Sequence, residues 1–211
     1  MNSTNYVALA MTKIKICGLT RMADIYAVNE AKPDYIGFVF AKSKRQVSFQ
    51  QAAALKAECA PSIKAVGVFV NQELEFIKRL CRQNIIDLIQ LHGDEDEQYM
   101  TALKKAVANP VIKAIRVKEH PAIMTTAADY ILFDTYSKEH YGGTGQCFDW
   151  RLIKGCTKPF YLAGGLDAGN IKAAMQTVQP YCLDVSSGVE TNGIKDKSKI
   201  ITIVDIVKGR I

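Results

Sequence analysis

The chain has 211 residues, enough for one domain with a sizeable core. Hydrophobic residues make up 48% and charged residues 23%, the balance of an ordinary soluble protein, and the longest apolar runs fall well short of a membrane span of about 20 residues. The net charge is +6, but the 27 basic residues are scattered without dense interleaving of aromatics; this argues against nucleic acid and leaves a mild preference for anionic small molecules.

Residues 1–12 carry the apolar stretch Tyr6 to Met11 with no basic residue before it, a poor secretory signal. They read as an N-terminal extension to a single domain over residues 13–211. The six cysteines include no CxxC pair, which argues against zinc. Without a secretory signal they read as reduced thiols in a cytoplasmic protein.

The first apolar run is Lys15-Ile16-Cys17, stopped by Gly18. Side chains alternate across a strand, so Lys15 and Cys17 share one face and Ile16 takes the other. A helix is expected over residues 23–32, ended by Pro33, and then a strand over residues 35–40. The loop 41–47 holds Lys42, Lys44 and Arg45, and Ser48 is a good N-cap for an Ala-rich helix over residues 49–60. The alternation repeats: a strand over residues 65–70, then a helix introduced by Asn71 with Leu74, Ile77, Leu80 and Cys81 on one face. A strand over residues 87–92 leads into an acidic helix start at Asp94-Glu95-Asp96-Glu97, where carboxylates suit the helix dipole.

A strand over 111–117, a short helix over 119–128 and a strand over 130–135 follow. The polar loop 136–146, with Gly142-Gly143-Thr144-Gly145, precedes a short helix near 149–154. The strand 160–162 runs into Ala163-Gly164-Gly165. A helix then places Ile171, Ala174, Met175 and Val178 on one face. The last strand, 182–185, runs into Ser186-Ser187-Gly188 and a helix with Ile200, Ile203, Val204 and Val207 on one face.

About eight strand–helix units in some 200 residues, with continuous apolar strands, predict a parallel sheet covered by helices: an α/β chain forming a (β/α)₈ TIM barrel. A doubly wound open sheet would need a dinucleotide fingerprint after the first strand, and no GxGxxG stands there. Barrel chemistry comes from the C-terminal ends of the strands. Those ends offer Cys17, the basic loop with Arg45, His92, Asp134, the Gly164-Gly165 turn and the Ser186-Ser187-Gly188 turn.

Glycines let backbone approach a ligand, and turns before helices point free N–H groups outward. Two such turns in the last two units predict a phosphate site at Gly164, Gly165, Ser187 and Gly188. Cys17 and Asp134 are the candidate acid–base pair: a thiol needs only a modest shift to become a base, and a screened carboxyl can hold a proton. Taken singly, each reads as a packing thiol or a loop-stabilising carboxylate. Arg45 could clamp a carboxylate bidentately or be a solvated charge, and His92 could contact ligand or brace the rim. Lys15 and Asp184 read as a buried ion pair closing the ring.

In order, Lys15-Ile16-Cys17-Gly18 with Thr20, Ser43-x-Arg45-x-Val47, Gln90-Leu91-His92-Gly93-Asp94, Phe133-Asp134-Thr135, Gly142-Gly143-Thr144-Gly145, Ala163-Gly164-Gly165-Leu166 and Asp184-Val185-Ser186-Ser187-Gly188-Val189-Glu190 resemble the phosphoribosylanthranilate isomerase family from about Lys13 to the C-terminus. The resemblance implies a TIM barrel of tryptophan biosynthesis with no metal and no cofactor. Its small phosphorylated substrate undergoes an Amadori rearrangement, and the enzyme is a monomer or homodimer. It implies Asp134 as general acid, Cys17 as general base, Arg45 on the anthranilate carboxylate, and the Gly165 and Ser187-Gly188 backbones on the phosphate. One departure is Lys44, where the family usually has proline, which loosens the loop around Arg45. A related sugar-isomerase barrel of histidine biosynthesis would carry aspartate at position 17 and a second phosphate turn in the first half, and neither is present. A phosphate-binding barrel without catalysis is the other rival, separated by a turnover assay.

Overall fold

A computed structural model describes residues 12–117, 126–135, 148–153 and 155–211. Eight parallel strands close into a barrel in chain order. They are β1 (Lys13–Cys17), β2 (Tyr35–Val39), β3 (Lys64–Phe69), β4 (Leu88–Leu91), β5 (Val111–Val117), β6 (Tyr130–Thr135), β7 (Phe160–Leu162) and β8 (Cys182–Val185). The ring shuts where β1 pairs with β8, with Lys15 opposite Asp184. After β8 the chain adds a small antiparallel hairpin, β9 (Glu190–Thr191) and β10 (Ile194–Lys195).

Among the described residues six helices follow β1, β2, β3, β4, β7 and β8: α1 (Met22–Ala31), α2 (Phe49–Ala57), α3 (Leu74–Arg82), α4 (Glu97–Ala106), α5 (Ile171–Val178) and α6 (Lys197–Val207). Ser48 caps α2 as expected, its Oγ accepting from Gln51 N at 3.1 Å. The strand alternation sorts the core into two bodies. Outward residues such as Ile14, Ile16, Ile36 and Leu183 pack under the helices. Inward residues such as Tyr35, Val66, Leu88, Ile112, Leu132 and Tyr161 fill the barrel. Expected one-face residues of the helices, including Ile77, Leu80, Ile171, Ala174, Ile200 and Val204, are fully buried.

Several boundaries differ from expectation. Asn71 does not start a helix; it adopts a left-handed conformation, φ 49°, and α3 begins three residues later. Its side-chain oxygen accepts from Asp94 N at 2.9 Å and its N–H donates to Glu95 Oε1 at 2.7 Å, so it braces two loops. In the acidic run only Asp96 caps α4, accepting from Tyr99 N at 2.8 Å. Glu95 is buried and bound to Lys113 Nζ at 2.9 Å. The short helix near 149–154 is one 3-10 turn, Trp150–Ile153. The helix expected over 119–128 falls largely outside the described residues, and residues 126–128 are not helical. The 136–146 loop and most of the 1–12 extension also lie outside them.

Candidate active site

Cys17 is the last residue of β1 and faces the barrel mouth beside Gly37, its partner on β2. A methyl at Gly37 would sit 2.6 Å from Cys17 Sγ, so only glycine there leaves room for the thiol. One pleat below, the fully buried Lys15 does more than close the ring. Its Nζ lies 2.7 Å from Asp184 Oδ2, 2.7 Å from Gln90 Oε1 and 3.4 Å from Cys17 Sγ. Burial disfavours that ammonium, but Asp184 and Cys17 outweigh burial and hold it charged, above the usual lysine range. Burial also pushes the Cys17 thiol up, against the pull of Lys15 and Lys195. The resting thiol is thus a weaker acid than a free one, the opposite of a preformed thiolate.

Asp134 is buried at the end of β6, one oxygen taking Thr135 N–H at 2.8 Å. The other, Oδ2, faces His92 Nε2 at 3.4 Å, too long for a good hydrogen bond. His92 follows β4 directly and is held by Gln90 from that strand: Gln90 Nε2 is 2.9 Å from His92 Nδ1. The structure thus brings His92 to the acid candidate rather than to the outer rim.

Of the two readings of Arg45, the solvated loop charge is excluded: its side chain is 15% exposed and its stem lies across Gly18, whose φ is +82°. A methyl at Gly18 would come 2.5 Å from Arg45 Cδ, a reason the strand carrying Cys17 is followed by glycine. The guanidinium is already paired, with Nε 2.6 Å from Glu190 Oε1 and Nη2 2.9 Å from Oε2. Glu190 also accepts from Lys195 Nζ at 2.7 Å, and Lys195 donates to Ser186 O at 2.8 Å. Burial pushes the Glu190 carboxyl up, but Arg45 and Lys195 together hold it down to about 2. Burial lowers the Lys195 pKa, partly offset by Glu190.

The two turns expected to face phosphate lie at the same mouth. Gly164 and Gly165 have φ of +88° and +65°, conformations that L side chains rarely adopt. Ser186 Oγ donates to Cys17 O at 3.0 Å and ties the end of β8 to the end of β1. A 3-10 turn, Ser187–Val189, follows; the first amides of such a turn have no partner within it. A cavity of about 640 Å³ opens here, lined among others by Cys17, Arg45, His92, Asp134, Gly164, Gly165 and Ser187.

Gly188, also expected at the ligand, is absent from that lining; a methyl there would run into the carbonyl of Leu166, so its smallness lets the two turns pack together. Sequence reasoning passed over Gln90 and Lys195 as site residues. Gln90 could have been flagged because it alternates inward, two residues before His92. Lys195 carries no such signal.

Sequence comparison bears on what this mouth serves. A family model described as N-(5'phosphoribosyl)anthranilate (PRA) isomerase matches residues 14–206. The N-(5'-phosphoribosyl)anthranilate isomerase of Endomicrobium trichonymphae is 52% identical over 199 residues, covering 94% of this chain and all of the relative. A crystal structure of phosphoribosyl anthranilate isomerase in complex with reduced 1-(o-carboxyphenylamino)-1-deoxyribulose 5-phosphate is 34% identical. It superposes with a TM-score of 0.81, over 94% of this chain and 100% of that one. Monomers generated from the dimeric enzyme of Thermotoga maritima give a TM-score of 0.80 at 34% identity, with 94% and 100% coverage. The profile match over nearly the whole barrel and a relative more than half identical over its full length together place this chain in the phosphoribosylanthranilate isomerase family.

Proposed function

We propose that Cys17 and Asp134 are the general base and general acid with which this isomerase converts N-(5'-phosphoribosyl)anthranilate to 1-(2-carboxyphenylamino)-1-deoxyribulose 5-phosphate in tryptophan biosynthesis. Asp134 gives its proton to the furanose ring oxygen, and the ring opens to a Schiff base. Cys17, as thiolate, takes the proton from C2′, and the resulting enolamine tautomerises to the ketone. The observation that carries this reading is placement. The two residues end β1 and β6, three strands apart round the ring by way of β8 and β7, and both line one cavity. Lys15 is the group beside Cys17 that favours its charged form.

Arg45 reaches the substrate carboxylate with the edge that Glu190 leaves open, since Glu190 occupies Nε and one side of Nη2. The phosphate sits between the Gly164-Gly165 turn and the start of the Ser187–Val189 turn, with Gly188 supporting it by packing rather than by facing the cavity. The catalytic unit is residues 13–211, active as a monomer or homodimer in the cytoplasm, without nucleic acid or membrane. No described helix is long and apolar enough to cross a membrane. The direct test is to add freshly made phosphoribosylanthranilate and follow loss of anthranilate fluorescence. Turnover by the wild type and at least a hundredfold loss in Cys17→Ala and Asp134→Asn is expected; near-normal turnover in either variant refutes its role.

A further inference from the structure

A chain of polar contacts runs along the floor of the cavity from one side of the barrel to the other: Asp184 on β8, Lys15 on β1, Gln90 on β4, His92 after β4 and Asp134 on β6. All five residues are buried. Each link restricts the next, because the groups differ in what they can give and take. A lysine ammonium has only protons to offer. The Gln90 atom 2.7 Å from Lys15 Nζ must therefore be the carbonyl oxygen, and this fixes which way the amide points. Its NH₂ then faces His92 Nδ1 at 2.9 Å, and an NH₂ can only donate. Nδ1 must accept, so it carries no proton. The ring is left neutral, with its one N–H on Nε2.

We propose that Gln90 is a positioning residue: anchored by Lys15, it locks His92 as the neutral Nε2–H tautomer, a hydrogen-bond donor directed at Asp134. His92 Nε2 is buried, has no hydrogen-bond partner among the described residues and faces Asp134 Oδ2, the oxygen that Thr135 N–H does not use. At 3.4 Å the contact is slack. It tightens when Asp134 has delivered its proton and Oδ2 becomes anionic, so the donor is matched to charge that develops during the reaction. Neutrality is part of the design. An imidazolium in the same place would favour the ionised carboxylate before any substrate arrived and leave no proton to give. Among the described residues Asp134 is the carboxylate within 4 Å of the ring; Lys15 and then Asp184 follow along the chain beyond Gln90. The catalytic sense of the lock rests on Asp134 as the acid; the lock itself does not.

The test is the tautomer, read by nitrogen-15 NMR of the full chain at pH 7.5. The chain has two other histidines, His120 and His140, and the His92 signals are assigned by their loss in His92→Asn. Wild type is expected to show Nε2–H with Nδ1 unprotonated. An Nδ1–H tautomer or an imidazolium overturns the proposal. Gln90→Glu keeps the side chain's shape but offers His92 an acceptor, so Nδ1 must gain a proton; an unchanged spectrum overturns the lock. With it, kcat should fall at least about tenfold while KM changes little, and an unaltered kcat overturns the catalytic sense of the lock. Should Gln90→Glu not fold, Gln90→Met removes the donor with similar bulk, and a mixture of tautomers is expected; a pure Nε2–H ring in that variant counts against the lock. Near-normal kcat in Asp134→Asn would instead sink the acid assignment and leave the tautomer result standing.

Discussion

Replacing Glu190 by glutamine keeps the shape of the side chain and removes the one negative charge between Arg45 and Lys195. The carboxylate accepts three short contacts, at 2.6 and 2.9 Å from Arg45 and 2.7 Å from Lys195, and its side chain is 5% exposed. Its pKa of about 2 lies below that of an unfolded glutamate, near about 4.3. A depressed folded value means stability present above the unfolded pKa and lost as pH falls through the folded one. The window therefore runs from about pH 5 down to about pH 2. Two units correspond to about 3 kcal/mol, and solvent screening at the barrel mouth leaves about 1–2 kcal/mol.

At neutral pH, Glu190→Gln also strands a buried lysine and a mostly buried arginine, so the total loss should be about 2–3 kcal/mol. Urea unfolding, followed by the fluorescence of Trp150, measures it at pH 7 and again at pH 3. The gap between wild type and variant should narrow by roughly half or more at the lower pH, because the other carboxylates titrate in both proteins and cancel. A gap that stays constant with pH would show that charge contributes nothing there and that the loss is packing alone.

Four further outcomes are expected. Alkylation of Cys17, followed on its own peptide by mass spectrometry, should accelerate with pH and reach half its limit at a higher pH than a free thiol, because burial raises the thiol pKa; a half-point below that of a free thiol would show that Lys15 and Lys195 outweigh burial. Cys17→Ala should stay folded, since the lost sulfur opens no large cavity, and lose at least about a hundredfold in kcat. Gly164→Ala forces a methyl onto a residue at φ +88° and against Thr135 and the Asp134 carboxylate, so stability should drop by about 1–3 kcal/mol with kcat; a silent substitution would mean the turn is free to move. Inorganic phosphate or sulfate should compete with substrate and occupy the space between Gly165 and Ser187 in a crystal; an anion bound elsewhere, with no competition, argues against that seat.

What could be read in advance follows from which constraints are local. Strand runs such as Tyr35–Val39 and Phe160–Leu162 are apolar on both faces because both faces of the sheet are covered, and this contrast with polar loops is written in the residues themselves. Period-two alternation then assigns Lys15 to the barrel interior, and the strand ends assign Cys17 and Asp134 to the mouth. The partnership of Arg45 with Glu190 was not legible. It spans 145 positions and depends on a short hairpin after β8 lying over the loop after β2, which no periodicity encodes. Asn71 misled for a related reason: asparagine is a good cap and also tolerates a left-handed backbone, and only the neighbouring loop, with Glu95 and Asp94 in reach, selects the second use.

Lys15 shows why a residue correctly placed can still be read too narrowly. Pairing with Asp184 across the closing seam is real, and it explains a fully buried ammonium as structure alone. A single acceptor, however, leaves two of its three protons unaccounted for in a dry interior, where an unused donor is expensive. Gln90 takes one and Cys17 faces another, so the same cation that seals the ring also biases the thiol and orients the amide beside His92. Removing it would then damage folding and chemistry together. Asp134, whose carboxylate accepts from the Thr135 N–H and faces His92 at the cavity wall, is a position where the two can be separated by mutation. Counting the protons of a buried lysine, rather than finding it one partner, is the step by which barrel closure leads to the reaction site.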